Sequence, residues 1–395
     1  MPHVAVAGAG IGGLAAALAL ARAGCRVSIV ERAPALLEIG AGLQLSPNAT
    51  AALRRLGVLD RVERTAVALE ALEIRRGRDG ATLARMDLGA GTLRRFGAPF
   101  LVTLRADLQR ALQEAVAEAD GIVLRTGAAL TGWTSGTYGV DLQVAGEAPT
   151  PLVADGLIGA DGLRSTVRRQ LWGDTAPEPA RRSAWRATID AEAVPAMFRM
   201  PRSQLWLGAG AHLVHYPVAA GRLINVVAAL DGPMPLDERL NAPWSRPGDP
   251  AEIVRRFAGW TAPVRALVAA APAWGQWPLV DRPALPRWSK GAVTLVGDAA
   301  HPMLPFLAQG AAQALEDAVA LADAVAASRD DLPAAFAAYD EARRPRATRV
   351  QRESRRQGLV YHLPWPASLA RDLVLRSTPS ARLLGRYAWL YGSCT

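Results

Sequence analysis

The chain has 395 residues, half of them hydrophobic and 21% charged, an ordinary globular balance that supports a large buried core in one large domain or two packed ones. Its formal net charge is +9 and Lys290 is the only lysine, so the excess is arginine, read either as a coding bias or as attraction for anionic ligands such as dinucleotides and aromatic carboxylates. The arginines are scattered outside any nucleic-acid module, which argues against nucleic-acid binding; the densest stretch, Arg343 to Arg356 with Glu353 inside it, reads as a solvated helix face.

The N-terminal stretch lacks a basic leader and is interrupted by glycines at 8, 10, 12 and 13, so it does not read as a signal peptide. Val4–Ala7 reads as a buried strand, Leu14–Ala23 as a helix ending at Gly24, and Val27–Val30 as a second buried strand, together a βαβ start. Leu101–Ala119 begins extended and turns helical, with Leu108, Leu112, Ala115 and Ala119 on one face. Leu157–Ala160 and Ala292–Val296 read as further strands, and Gly310–Ala327 as a helix buried on most sides. Between them, Ser183–Asp190, Ser203–Pro217 and Arg222–Leu230 look like strands of an antiparallel sheet, in a region holding most of the tryptophans. Pro233 to Pro250 reads as a surface excursion, Ala251–Ala271 as helix broken at Pro263, and the tail from Leu332 as mostly helical.

This order predicts an α/β fold: a Rossmann-like nucleotide-binding domain with an inserted mixed or antiparallel sheet and C-terminal helices. The expected division is 1–70, 96–175 and 288–330 for the discontinuous nucleotide domain, 71–95 and 176–287 for the substrate domain, and 331–395 for the helical end. No run of about 18 continuous apolar residues occurs, so no membrane span is expected. Cys25 and Cys394, the only cysteines, suggest neither a disulfide framework nor a metal site, and fit a reducing, cytoplasmic setting.

Gly8-Ala9-Gly10-Ile11-Gly12-Gly13 fits G-x-G-x-x-G at Gly8, Gly10 and Gly13, between a predicted strand and a predicted helix. Gly8 allows the tight turn, Gly10 a close approach of a pyrophosphate, and Gly13 close packing of helix on strand. The helix N-terminus offers unpaired N–H groups to the phosphates. Glu31, 18 positions after Gly13, suits a ribose diol and disfavours a 2′-phosphate.

Three later segments carry more. They are Gly159-Ala160-Asp161-Gly162-Leu163-Arg164-Ser165; Gly297-Asp298-Ala299-Ala300-His301-Pro302 with Pro305, Ala308-Gln309-Gly310-Ala311 and Glu316-Asp317; and Tyr339-Asp340-Glu341-Ala342-Arg343-Arg344-Pro345-Arg346. With the Gly8–Gly13 loop, Gly40-Ala41-Gly42 through Pro47-Asn48-Ala49, and Leu104-Arg105-Ala106-Asp107-Leu108, they resemble the flavoprotein aromatic hydroxylases, in that family's order and spacing. The branch most similar is that of the salicylate and 3-hydroxybenzoate hydroxylases. One departure is Ala308, where many members have glycine.

The resemblance implies bound FAD, NADH or NADPH as transient co-substrate, and hydroxylation of a small phenolic acid by O₂ through a flavin C4a-hydroperoxide. It implies flavin contacts for Arg32, Arg105, Leu130, Asp161, Asp298, Pro305, Gly310 and Ala311. A helix N-cap is the plain alternative for Asp298, a surface salt bridge for Arg105, and a turn-and-cap role for Asp161; His301 is expected to support its turn. In Ala211–Pro217, residues two apart share a strand face, so His212, Val214 and Tyr216 point one way and His215 the other. His212 is expected as base or proton relay, because a neutral imidazole suits activation of a phenol, and Tyr216 as substrate anchor; a core histidine satisfied by backbone is the alternative. A homodimer is also expected. Other readings left open are a hydroxylase of an N-heteroaromatic or a larger polyketide or quinone, a flavin oxidase, and a flavin-binding redox sensor without turnover.

Overall fold

The computed structural model describes residues 1–36, 41–136, 139–145, 152–173, 175–232, 245–328 and 331–392. Gly40, Cys394 and most of the excursion from Pro233 lie outside them.

The nucleotide-type strands assemble into one parallel sheet of five, in the order Val293–Leu295, Gly156–Gly159, His3–Ala7, Arg26–Val30, Ile122–Arg125. Its central strands are near-continuous apolar runs because helices and a small antiparallel meander cover them. Helix Ile11–Arg22 leaves the first strand through the glycine turn. Its Ala15, Ala16 and Ala17 are fully buried, and small side chains let it lie against both the sheet and helix Gly310–Ser328. The sheet gathers strands from both ends of the chain, as the discontinuous reading requires. A three-stranded antiparallel meander, Ala129–Gly136, Gly139–Ala145 and Leu152–Ala154, packs Trp133 and Leu142 into the same core.

The second sheet has eight strands, in the order Arg246–Gly248, Trp274–Asp281, Glu178–Asp190, Leu223–Asp231, Ala211–Val218, Arg202–Gly208, Ala71–Arg76, Thr82–Asp87. Ser203–Pro217 is thus two strands, joined by a turn at Gly210 (φ +64°). The sheet is mixed: Arg202–Gly208 runs parallel to Ala71–Arg76. Those two strands are far apart in sequence, so no hairpin forces them antiparallel. The Pro-rich excursion ends in the short edge strand Arg246–Gly248. Pro263 starts a new helix, Ala262–Ala269, after Pro250–Arg256.

One face of this sheet packs Trp185, Trp206, Leu213 and Val226 against Phe198, Phe257 and Leu267 in a second core. The other face, with Leu205, Val214 and Tyr216, looks toward the parallel sheet and the C-terminal helices. The longest of these, Leu332–Tyr361, corrects one expectation. The Arg343–Arg356 stretch is not simply a solvated face, because Arg343 is 1% exposed and Arg346 is half-buried. Both turn inward because helix Gly310–Ser328 presents the buried carboxylates of Glu316 and Asp317.

Candidate active site

The glycine turn is shaped by what surrounds each missing Cβ. Gly8 has φ +104°, and a Cβ there would lie 2.6 Å from the Ala160 carbonyl oxygen. A Cβ on Gly13 would lie 1.9 Å from the Gly8 carbonyl oxygen, so helix and strand meet at backbone distance. Gly10 is different: a Cβ would meet nothing within 4 Å. Space is kept open at the helix N-terminus where backbone N–H groups need an acceptor, which is the form of a phosphate cradle. The residues present therefore fit a dinucleotide.

Glu31 closes the turn from the second strand. Its Oε2 accepts the Ala9 N–H at 2.8 Å and its Oε1 the Ala33 N–H at 2.8 Å, leaving lone pairs on both oxygens. Arg32 is exposed beside it. Arg105 opens helix Arg105–Glu118, is exposed, and donates its backbone N–H to the Ala41 carbonyl at 2.8 Å. Leu130 sits in the meander, paired with Val144. Asp161 is a turn-and-cap residue. Its carboxylate accepts the Ser165 hydroxyl and the N–H groups of Thr166 (2.7 Å) and Val167 (3.2 Å), while Ser165 Oγ caps helix Thr166–Trp172 by accepting from Arg168 N–H.

Asp298 stands on the turn Gly297–Ala299, exposed; its carboxylate caps nothing and has no hydrogen-bond partner among the described residues. Beneath that turn lies a buried ionic cluster. Asp317 accepts His301 Nε2 at 2.5 Å and Gly297 N–H at 3.0 Å on one oxygen, and Arg343 Nε at 2.9 Å on the other. Burial opposes its charge, but His301, Arg343 and the Gly297 N–H more than offset this and hold its pKa at about 2. Glu316 receives Arg343, Arg346 and Asn48. Asn48 also donates to Gln309 (3.1 Å), which donates to Ser46 (2.8 Å). Two carboxylates face two guanidiniums, so charges balance out of water, and the network fixes the Gly297–Gly310 segment from below. His301 supports its turn through this cluster. Ala308 has φ +52°, a region that favours glycine, which accounts for glycine being usual at this position.

Above the cluster opens a cavity of about 690 Å³. Leu72, Ile74, Ala84, Met86, Leu205 and Val214 form its apolar wall; Gln44, Ser46, Ser203 and His212 supply polar groups; Pro305 through Gln309 close one side. Gln44 donates to Ser203 Oγ at 3.2 Å. The fully buried Asn225 accepts the Gly42 N–H at 2.7 Å and pins the sheet to the segment before Gln44; a Cβ on Gly42 would lie 2.5 Å from Asn225 Cγ. Among the described residues Glu353, Arg356, Arg371 and Arg386 are the charged groups of the lining, and Arg371 is held by Asp372.

The strand Ala211–Val218 carries His212 and Val214 to the cavity, with Tyr216 on the same face, buried nearby beside Val218 rather than in the lining; His215 points into the second core and bonds Gln204 at 3.0 Å. His212 Nδ1 lies 2.7 Å from His362 Nε2, and His362 Nδ1 lies 2.6 Å from Asp231. Nε2 is therefore the His212 nitrogen left for the cavity. Burial, then the charges of His362 and Arg182, lower the His212 pKa well below the usual value, so the ring is neutral. Burial raises that of Tyr216, so its hydroxyl stays protonated. His362 and Asp231 escaped the sequence reading. Nothing local marks them, and they meet His212 only because the C-terminal helix ends against the sheet.

The FAD binding domain family matches residues 1–354. Over 392 residues the chain is 42% identical to a 3-amino-4-hydroxybenzoate 2-monooxygenase of Streptomyces platensis, spanning 99% of this chain and 96% of that protein. It is 36% identical over 391 residues to a 3-hydroxybenzoate 6-hydroxylase of Polaromonas naphthalenivorans, spanning 98% and 95%. The fold superposes on a salicylate hydroxylase solved as a substrate complex with a TM-score of 0.82, at 28% identity over 99% of this chain and 95% of that one. With the glycine cradle, the free Asp298 carboxylate and the cavity beside Pro305–Gln309, these likenesses make the chain a member of the FAD binding domain family and an FAD-dependent aromatic hydroxylase.

Proposed function

We propose that the protein hydroxylates a small hydroxybenzoate, using NADH or NADPH and O₂, with His212 as the base that activates the phenol. The observation that carries this reading is a neutral imidazole in the lining of the cavity beside the Pro305–Gln309 turn, with Nδ1 committed to His362 and Nε2 left over. FAD, when bound, supplies the redox chemistry that couples nicotinamide oxidation to O₂ activation. Gly8, Gly10, Gly13 and the helix N-terminus would hold its pyrophosphate, Glu31 its ribose, and Asp298 its polyol chain. Arg32, Arg105 and Leu130 would flank the nucleotide, Asp161 would hold the adjoining turn, and Pro305, Gly310 and Ala311 would border the ring.

Oxygen transfer needs an electron-rich ring, which a phenol becomes as its proton leaves. His212 Nε2 accepts that proton. Tyr216, held protonated by burial on the same strand face but outside the lining, supports the strand that carries His212 rather than touching the substrate. The leucine, isoleucine and methionine wall excludes water from the reacting ring. Arg356 and Arg386, exposed at the lining, draw in the carboxylate. On this reading the segments 1–70, 96–175 and 288–330 bind FAD, 71–95 and 176–287 bind substrate, and 331–395 closes the cavity; the membership of the two large sheets supports the division. We place the enzyme in the cytoplasm, where NAD(P)H is available and the buried Cys25 stays a thiol, as a homodimer supported by the exposed Leu359, Trp365 and Leu373 of the C-terminal helices and the turn between them. Among the described residues no helix is long and apolar enough to cross a membrane.

The test is anaerobic bleaching of the FAD-loaded protein by NADH or NADPH, alone and with hydroxybenzoates. Bleaching should accelerate at least tenfold with the substrate. His212→Asn should keep FAD yet lose product formation by about 10²- to 10⁴-fold, the usual contribution of a general base. A panel of hydroxybenzoates that leaves bleaching unchanged would refute the substrate class.

A further inference from the structure

The base at His212 does not stand alone, and its surroundings pose a problem that the base reading leaves open. A buried imidazole that takes a proton becomes a cation out of water, a state that must discharge for the substrate to remain a phenolate. We propose that His212, His362 and Asp231 form a proton path that carries the phenolic proton from the cavity to solvent, with His362 and Asp231 as relay residues. The proposal rests on His212 being the base.

The path has three links, each from a different element. His212 comes from the strand lining the cavity, His362 from the C-cap of helix Leu332–Tyr361, and Asp231 from the end of the strand Leu223–Asp231. The contacts are 2.7 Å between His212 Nδ1 and His362 Nε2, and 2.6 Å between His362 Nδ1 and Asp231 Oδ1. The His362 side chain is 2% exposed and His212 is buried, whereas the Asp231 side chain is 41% exposed. The chain therefore begins at the cavity and ends at water. The Gly210 N–H, donating to the His362 carbonyl at 3.3 Å, seats the relay residue.

The carboxylate sets both tautomers. Ionised Asp231 only accepts, so His362 carries its proton on Nδ1. His362 Nε2 is then an acceptor, and His212 must carry its own proton on Nδ1. That leaves the His212 Nε2 lone pair facing the cavity, which a base requires. The charged neighbours agree. Arg182 Nε bonds Asp231 at 2.6 Å, with its guanidinium over the Phe306 ring at 5.4 Å, and keeps the carboxylate ionised. Arg256 bonds the Asp231 carbonyl at 2.8 Å. Arg371 is paired with Asp372 and caps the carbonyls of Val360 and Tyr361. The rings of Phe306 and Tyr361, at 5.5 and 5.1 Å, flank His212 and shield the path.

In the forward run the substrate O–H bond breaks and an N–H forms at His212 Nε2. The His212 Nδ1–H bond breaks as one forms at His362 Nε2, and the His362 Nδ1 proton leaves through Asp231 to water. One proton moves and no electrons do. The reverse run returns a proton to the product phenolate and restores both tautomers.

The test mixes FAD-loaded protein with 3-hydroxybenzoate or 3-amino-4-hydroxybenzoate in weak buffer containing a pH indicator. The wild type should release a proton on binding. His362→Gln, which can still accept from His212 Nδ1, and Asp231→Asn should each slow release at least tenfold while FAD absorbance shows an intact holoenzyme. Imidazole should restore the rate in His362→Ala. Release within twofold of wild type in both His362→Gln and Asp231→Asn, with His212→Asn inactive, overturns the path and leaves the base intact. Unchanged release in His212→Asn instead overturns the base reading. Independently of any ligand, nitrogen NMR of the five histidines should show His212 and His362 protonated at Nδ1 near pH 7, and a proton on either Nε2 would overturn the path.

Discussion

Gly10→Ala separates the fold from the ligand. Gly10 has φ −71° and ψ −177°, extended backbone that alanine adopts without strain, and its Cβ would meet nothing within 4 Å. The substitution should therefore change the stability of the FAD-free protein by no more than about 1 kcal/mol, the gain through the unfolded chain offsetting the poorer N-cap that alanine makes. The new methyl would instead enter the space assigned to the pyrophosphate. Overpacking a close contact costs roughly 1–3 kcal/mol, which weakens FAD binding about 5- to 150-fold. Gly13→Ala is the contrasting arm, since its Cβ would lie 1.9 Å from the Gly8 carbonyl oxygen and the turn itself must break. The assay pairs thermal unfolding of FAD-free protein with titration of FAD by flavin fluorescence. FAD binding by Gly10→Ala at wild-type affinity would refute the placement of the pyrophosphate. A loss of more than about 2 kcal/mol without FAD would refute the claim that the space belongs to a ligand.

Three further outcomes follow from the same structure. Asp317→Asn strips charge from a cluster holding the 1%-exposed Arg343, so it should destabilise the protein by about 3–5 kcal/mol, read by denaturant unfolding. His215, buried among Phe198 and Trp206 and bonded to Gln204, has its pKa lowered by burial and then by Arg75 to about 3. The unfolded chain, titrating near 6.5, then binds more protons than the folded one across the window from 6.5 down to about 3, so stability falls with pH there. From pH 7 to pH 5 this group alone should remove about 2 kcal/mol, and urea midpoints of His215→Gln should show a correspondingly flatter slope. Tyr216→Phe should keep FAD and change KM by less than about twofold, since its hydroxyl lies outside the cavity lining, as measured by substrate-dependent NAD(P)H oxidation.

The parts legible in the sequence were those whose physics is local. The glycine turn, the Ala-rich helix behind it and the short apolar strands announce themselves through spacing and burial within a few residues. The strand face that carries His212, Val214 and Tyr216 is equally local, since alternation decides it. What could not be read depended on partners distant in sequence. Arg343 looks like any helix-surface arginine until Glu316 and Asp317 are set opposite it. The parallel pairing of Ala71–Arg76 with Arg202–Gly208 joins strands separated by more than a hundred residues, among them two strands of the nucleotide sheet. Asp161 is open in the sequence to ligand contact with capping as its alternative, and the shape of its turn gives it capping bonds to Ser165, Thr166 and Val167. His362 carries no motif; its meaning comes from where the C-terminal helix ends.

The central claim is oxygen insertion into an aromatic ring. It is tested most directly by turnover of 3-hydroxybenzoate and 3-amino-4-hydroxybenzoate under ¹⁸O₂ with NADH or NADPH, with the product read by mass spectrometry. The account predicts a hydroxylated product that retains one labelled oxygen, formed in step with nicotinamide oxidation. Nicotinamide oxidation that yields only hydrogen peroxide, with the aromatic recovered unchanged, would contradict it.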